Sequence, residues 1–183
     1  MGTTIVDRLY TDFLALARVL ASTSEPSLAI TADDCFRKAL LLSAASLFET
    51  LVVEAIQRFV SDTARGNACV VEFVRRKGLA RQYHTLFDWE KRHAGHFFAL
   101  FGESFKAAME RRAKIDEAFA GSIAAFLEIG RERNRVIHQN FGHVTLEKTA
   151  TEIYNLYRVA QMFVAELPEL LQSGGREQRE AAG

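Results

Sequence analysis

The sequence predicts an all-α protein, a helical bundle with long central helices and shorter covering ones. Two observations predict it. Apolar residues recur at three- and four-residue spacing along most of the chain, and only two prolines, Pro26 and Pro168, interrupt 183 residues. A third excludes disorder: 49% of the residues are hydrophobic and 25% are charged. One helical domain is expected over residues 1–172, with its core in 32–172 and a flexible tail over 173–183.

Ile5, Tyr10, Phe13, Leu14, Ala17 and Leu20 fall on one side of a first helix, which stops near Ser22 to Pro26. Thr31 or Asp33 is the expected cap of a long second helix running to about Ala64, where Arg65-Gly66-Asn67 reads as a stop. Its polar residues Ser43, Ser46, Thr50, Glu54 and Gln57 form one narrow stripe at 100° per residue. The remainder is apolar, which makes the helix central. Residues 68–74 have strand propensity but no partner strand, and are read as a short helix.

Residues 79–112 hold Tyr83, Phe87, Trp89, Phe97, Phe98, Phe101 and Phe105, broken by Gly95 and Gly102. They read as short helices and connections. Such rings could stack on bases, but aromatics at helical spacing are far more often core. A further long helix spans about Ile115 to His138, ended by Phe141-Gly142. The last begins near Thr145 and carries Leu146, Ile153, Leu156, Tyr157, Ala160, Phe163 and Val164 towards Leu171. Beyond it, 173–183 lacks a large apolar residue to anchor it.

Lysine plus arginine equal aspartate plus glutamate at 23 each, so no global basic field exists and nucleic-acid binding must come from local patches. Residues 65–114 hold eleven bases against five acids, while residues 1–64 hold eight acids against five bases. Each cluster taken singly reads as a solvated helix face. Cys35 and Cys69 form no CxxC pair, and Asp7 and Asp12 stand where a signal peptide needs bases. The run from Ala39 to Phe48 ends at Glu49, too short to span a bilayer. The expectation is a cytoplasmic protein without membrane partners.

Chemistry concentrates at Arg131 to Gly142, where Arg131, Arg133, Arg135 and His138 stand within eight residues. On a helical wheel Arg133 shares the face of Phe126, Ile129, Gly130, Val136 and Ile137, so it points inward. His138 lies roughly 140° away on a straight helix, with Asn134 on its own side. For Arg131 and Arg135, a solvated face and contact with RNA phosphate are equal readings. His84, His93 and His96 have loose metal-ligand spacing without the supporting Cys or carboxylate, so structural roles are expected and neither metal nor cofactor. No phosphate-cradling glycine loop or nucleophile elbow occurs, which argues against a kinase, NTPase or hydrolase of those kinds.

Arg133-Asn134-Arg135-Val136-Ile137-His138 resembles the Arg-x4-His signature of HEPN domains, and the second helix, with Phe48-Glu49, resembles that of the RiboL-PSP-associated members. The resemblance covers most of residues 32–172. It implies an all-α HEPN-like bundle that dimerises, bringing two Arg…His motifs to one cleft. It further implies a metal-independent endoribonuclease, often a toxin or a phage-defence effector with a partner or antitoxin. Other members are non-catalytic nucleotide-binding or protein-interaction modules, and that alternative stands beside the first. A plain helical scaffold is the third reading.

The residue types suit the chemistry. An imidazole such as His138 can take the 2′-hydroxyl proton or protonate the departing 5′-oxygen. Arg133 can stabilise phosphate charge, and Asn134 can orient the imidazole or a phosphate oxygen. Glu49 lies off the polar stripe of the second helix. Leaving Glu49 or Arg133 unpaired on an apolar face costs roughly 3–5 kcal/mol, so an ion pair between them is expected, with Glu49 supporting the arginine rather than acting as base.

Overall fold

The described residues form seven α-helices: α1 (Ile5–Ser22), α2 (Pro26–Thr63), α3 (Ala68–Val74), α4 (Gly95–Ala99), α5 (Glu103–Ile115), α6 (Glu117–His138) and α7 (Ala150–Glu180). A π turn over Arg75–Leu79 and a 3-10 turn over Tyr83–Thr85 stand between α3 and α4. The computed structural model describes residues 2–23, 25–139 and 141–180, with side chains as far as 175. No strand occurs among the described residues, and the fold is all-α, as the sequence predicts.

Contacts gather in two compact units where the sequence suggests one domain over 1–172. One comprises Met1–Leu47 and Ile129–Arg158, and the other Phe48–Glu128 and Val159–Gly183. Helices α2, α6 and α7 each contribute residues to both. No linker composition therefore marks the division.

In the first unit, Thr4 caps α1: its hydroxyl accepts from the Asp7 amide at 3.2 Å, and Asp7 Oδ2 accepts from the Thr4 amide at 2.7 Å. This reciprocal box satisfies two donors that a helix start leaves open. The Thr4 hydroxyl also meets the Tyr157 hydroxyl at 2.8 Å, and Tyr154 donates to Asp7 Oδ1 at 2.8 Å. The Tyr10 ring stacks on Tyr154 at 4.1 Å. Val6, Leu40, Leu41, Val136, Val144, Leu146 and Tyr157 are buried.

The second unit packs on rings. Phe87 stacks on Phe97 at 4.5 Å, while Phe126 lies 4.9 Å from Phe87 and 5.3 Å from Phe163. Phe98 and Phe105 meet edge to face. Of the aromatic segment, Phe87, Phe97, Phe98 and Phe105 are buried, so those rings are core. Arg112 is the unit's cross-linking cation, bonded to Glu166 at 2.8 Å and set over the Phe119 ring at 4.1 Å.

Three element boundaries differ from the sequence reading. Helix α2 starts at Pro26, where a proline's missing N–H costs nothing. Thr31, Asp33 and Asp34 thus lie inside it and cap nothing, and the two aspartates pair one turn on with Arg37 (2.9 Å) and Lys38 (2.7 Å). Helix α7 starts at Ala150 instead of near Thr145, with Thr149 and Glu152 in a second capping box. Residues 173–180, expected as flexible tail, continue α7, and 181–183 lie outside the described residues. A Cβ on Gly174 would stand 2.6 Å from Phe105 Cε2, and one on Gly175 3.1 Å from Phe59 Cε2. The anchor is a glycine backbone under aromatic rings, which a search for large side chains cannot find.

Measured over 18 residues, α2 has a mean hydropathy of 1.8, long and apolar enough by composition to cross a membrane. The run to Phe48 hides this because Glu49 ends it. Leu40, Leu41, Ala44, Phe48, Val52 and Ile56 are buried within the fold, which is the use the helix has for that apolarity.

Candidate functional site

Asp116 opens α6 by accepting from the Phe119 amide at 2.9 Å, and that bond holds its carboxyl below the ordinary range. The negative side chain also suits the positive end of the helix dipole. At the other end, Val136 is buried and fixes the rotation of the last turns. The residues of the Arg133-x4-His138 pattern stand around it.

Arg133 is half-buried and its Nη1 donates to Asn134 Oδ1 at 3.1 Å. The carbonyl of Asn134 thus orients the guanidinium, where the sequence suggested the imidazole or a phosphate oxygen. His138 is exposed and is the last residue of α6. The wheel put Arg133 on an inward face with Val136 and Ile137, but Arg133 is only half-buried and Ile137 is 49% exposed.

Arg135 is half-buried. It grips Glu132 Oε2 through Nε (3.1 Å) and Nη2 (2.7 Å), and Nη2 also reaches the Thr145 carbonyl at 3.2 Å. That geometry ties α6 to the α6–α7 connection. Arg131 is exposed, with Nε 3.9 Å from Glu132 Oε1, a loose surface pair. Of the two, Arg131 has the geometry of a cation open to a phosphate. Glu49 is half-buried on α2 and belongs to the Phe48–Glu128 unit.

Two cations that the sequence reading did not single out, Arg37 and Lys38, stand beside this helix end. Lys38 is 1% exposed, and its Nζ donates to Asp34 Oδ2 at 2.7 Å and to the Phe141 carbonyl at 2.9 Å. Arg37 Nη1 donates to the Leu146 carbonyl at 2.7 Å and reaches that of Lys148 at 3.4 Å. Arg37 Nε lies 2.9 Å from Asp33 Oδ2 but is too poorly aligned to hydrogen-bond. The signal was available: Asp-Asp-x-x-Arg-Lys at i, i+4 spacing, with the lysine next to Ala39-Leu40-Leu41-Leu42. A cavity of about 190 Å³ lies under the connection, lined by Leu41, Glu132, Arg135, Leu146, Lys148 and Ile153 among others.

Two of the other histidines have local work. His93 Nδ1 accepts from the Gly95 amide at 3.4 Å, and His96 Nε2 meets the Thr85 carbonyl at 3.2 Å. Among the described residues no group of three or more His, Cys, Asp or Glu side chains is disposed to hold a metal ion.

An all-α fold with an oriented arginine and a terminal histidine on one helix defines the class, a helical domain of the Arg-x4-His kind. The chain belongs to the RiboL-PSP-HEPN family, whose model matches residues 7–173. No curated protein and no solved structure matches it. Membership of that family points to ribonuclease or nucleotide-binding roles.

Proposed function

We propose that the protein is a metal-independent endoribonuclease, acting in a toxin–antitoxin or phage-defence setting. The observation that carries this reading is the α6 end itself: Arg133 is oriented by Asn134, and His138 is exposed on the next turn. His138 takes the 2′-hydroxyl proton or protonates the leaving 5′-oxygen, and Arg133 stabilises the charge on phosphorus-bound oxygen. The 2′-oxygen bonds to phosphorus as the bond to the 5′-oxygen breaks. The products carry a 2′,3′-cyclic phosphate and a 5′-hydroxyl.

One histidine supplies one proton-transfer group, and a two-fold axis supplies the second without further sequence. The proposal therefore includes a homodimer with both motifs at one cleft. Glu49 pairs with Arg133 of the same or the partner chain and steadies its guanidinium. Arg131 contributes a phosphate contact that positions the RNA.

The test is RNA cleavage by the purified protein in excess chelator, with end-group analysis of the products. His138→Ala and Arg133→Ala should each lower the rate by roughly 10²–10⁴-fold, while His93→Ala and His96→Ala keep it. Full cleavage by His138→Ala would overturn the catalytic reading and leave a nucleotide-binding or interaction module. Light scattering that finds a monomer at concentrations of full activity would remove the shared cleft.

A further inference from the structure

Helix α6 ends at His138, with the Gln139 amide still bonded to the Arg135 carbonyl at 3.2 Å. A histidine on a last turn is where helices fray. From residue 141 to residue 149 the chain is irregular, and such a segment needs partners for its backbone carbonyls. Three cations supply them. Lys38 takes the Phe141 carbonyl, Arg135 that of Thr145, and Arg37 those of Leu146 and Lys148.

Lys38 acts nearest to the histidine along the chain, gripping a residue three positions beyond it. Its ammonium lies 5.0 Å from the centre of the Phe141 ring as well as 2.9 Å from the Phe141 carbonyl, and Asp34 balances its charge. A buried ammonium with a carboxylate, a carbonyl and an aromatic face around it is held in one place. Loss of the lysine would leave the Asp34 carboxylate without its close cation and free the chain just after the helix.

We infer that Lys38, supported by Arg37, is a positioning residue for His138, acting through the Phe141 carbonyl to hold the end of α6. The inference rests on the reading of His138 as the proton-transfer group. The clamp is built from residues of α2, so the second helix contributes to the site through its Asp33–Lys38 turn. Lys38 touches neither RNA nor the reacting atoms, and its effect falls on the turnover step and spares substrate binding.

The experiment uses the full chain with Lys38→Met, which keeps length and removes the donor, and Lys38→Arg as the conservative rescue. Amide hydrogen exchange and the His138 imidazole NMR signal are read in each, alongside kcat and KM on RNA. In Lys38→Met, exchange at residues 139–149 should rise and the His138 signal should broaden or shift. Amides of α4 and α5 should stay as they are. The expected loss is roughly 10- to 100-fold in kcat with KM kept, the scale of a catalytic group misplaced by about an ångström. Lys38→Arg should recover most of it. If Lys38→Met does not fold, Arg37→Gln, which drops the Leu146 and Lys148 bonds, should loosen the same segment to a smaller extent.

Unchanged exchange at 139–149 and an unchanged His138 signal, in whichever variant folds, would overturn the clamp. So would unaltered kcat in Lys38→Met of a protein that cuts RNA, and in that case the ribonuclease reading stands. If the wild-type chain cuts no RNA, exchange and the imidazole signal still decide for or against the clamp, and only the catalytic reading falls.

Discussion

Both units bury apolar side chains, and they differ in what is added to them. The Phe48–Glu128 and Val159–Gly183 unit rests on ring against ring, with Phe126 touching Phe48, Phe87, Trp89 and Phe163. The other unit adds directed polar bonds to its buried Val6, Leu40, Leu41 and Leu146: Thr4 to Tyr157, Tyr154 to Asp7, and Lys38, Arg37 and Arg135 to backbone carbonyls. Burial of rings supplies stability and tolerates several geometries, whereas hydrogen bonds supply less net energy but fix angles. The Arg133-x4-His138 motif lies in the directed unit. A site that must place an imidazole gains more from fixed angles than from a larger core.

The largest expected effect breaks the ring cluster. Phe126 is 1% exposed, and Phe126→Ala should cost about 3–5 kcal/mol in a urea unfolding curve. A loss under about 1 kcal/mol would mean that the rings repack freely and that the contrast is false. Next comes Gly174→Ala. Alanine is the better helix former by about 1 kcal/mol, yet its Cβ would meet Phe105, so a net loss of about 1–3 kcal/mol is expected. A gain in stability would show that the Phe105 ring swings aside.

On the directed side, Thr4→Ala removes a cap and the Tyr157 bond and should cost about 1 kcal/mol, with raised exchange confined to α1. The smallest effect is that of pH on Asp7. Burial pushes its carboxyl up, but bonds from the Thr4 amide, the Tyr154 hydroxyl, the Thr4 hydroxyl and Arg158 outweigh that and leave it below the usual range. A depressed carboxyl contributes stability above its unfolded value of roughly 3.9, and loses it as pH falls through the folded one. Asp7→Asn should therefore flatten the acid limb of a stability–pH curve. Identical acid limbs in the two proteins would remove Asp7 from the account.

The same contrast explains what was legible in the sequence. Rings announce a core by residue type, and Phe87, Phe97, Phe98, Phe105 and Phe126 sit where their spacing puts them. Helix existence follows from periodicity, and the family from Arg133, Asn134 and His138 with Phe48-Glu49. Directed bonds are not written that way. Nothing in the local pattern states that Asn134 turns to Arg133, or that Lys38 finds the carbonyl of a residue 103 positions away. Residues 173–183 read as a flexible tail for want of a large apolar residue, because Phe105 and Phe59, the rings that meet Gly174 and Gly175, are distant in sequence. Asp33 read as a cap because its pairing with Arg37 competes with capping for the same carboxylate.

Arg133 and Arg135 stand two residues apart on α6 and are steered by different means. Glu132 aims Arg135 with a full negative charge, and the pair approaches local neutrality. Asn134 aims Arg133 with an amide dipole and adds no charge of its own. Aspartate has the same shape as asparagine and would make the same bond, but it would lower the potential at the guanidinium by a whole unit of charge. An anion approaching Arg133 would then meet one more carboxylate in competition for the same donor. The amide at 134 separates the direction of a cation from its field: it points the arginine and leaves the balance of charge there to groups elsewhere in the fold.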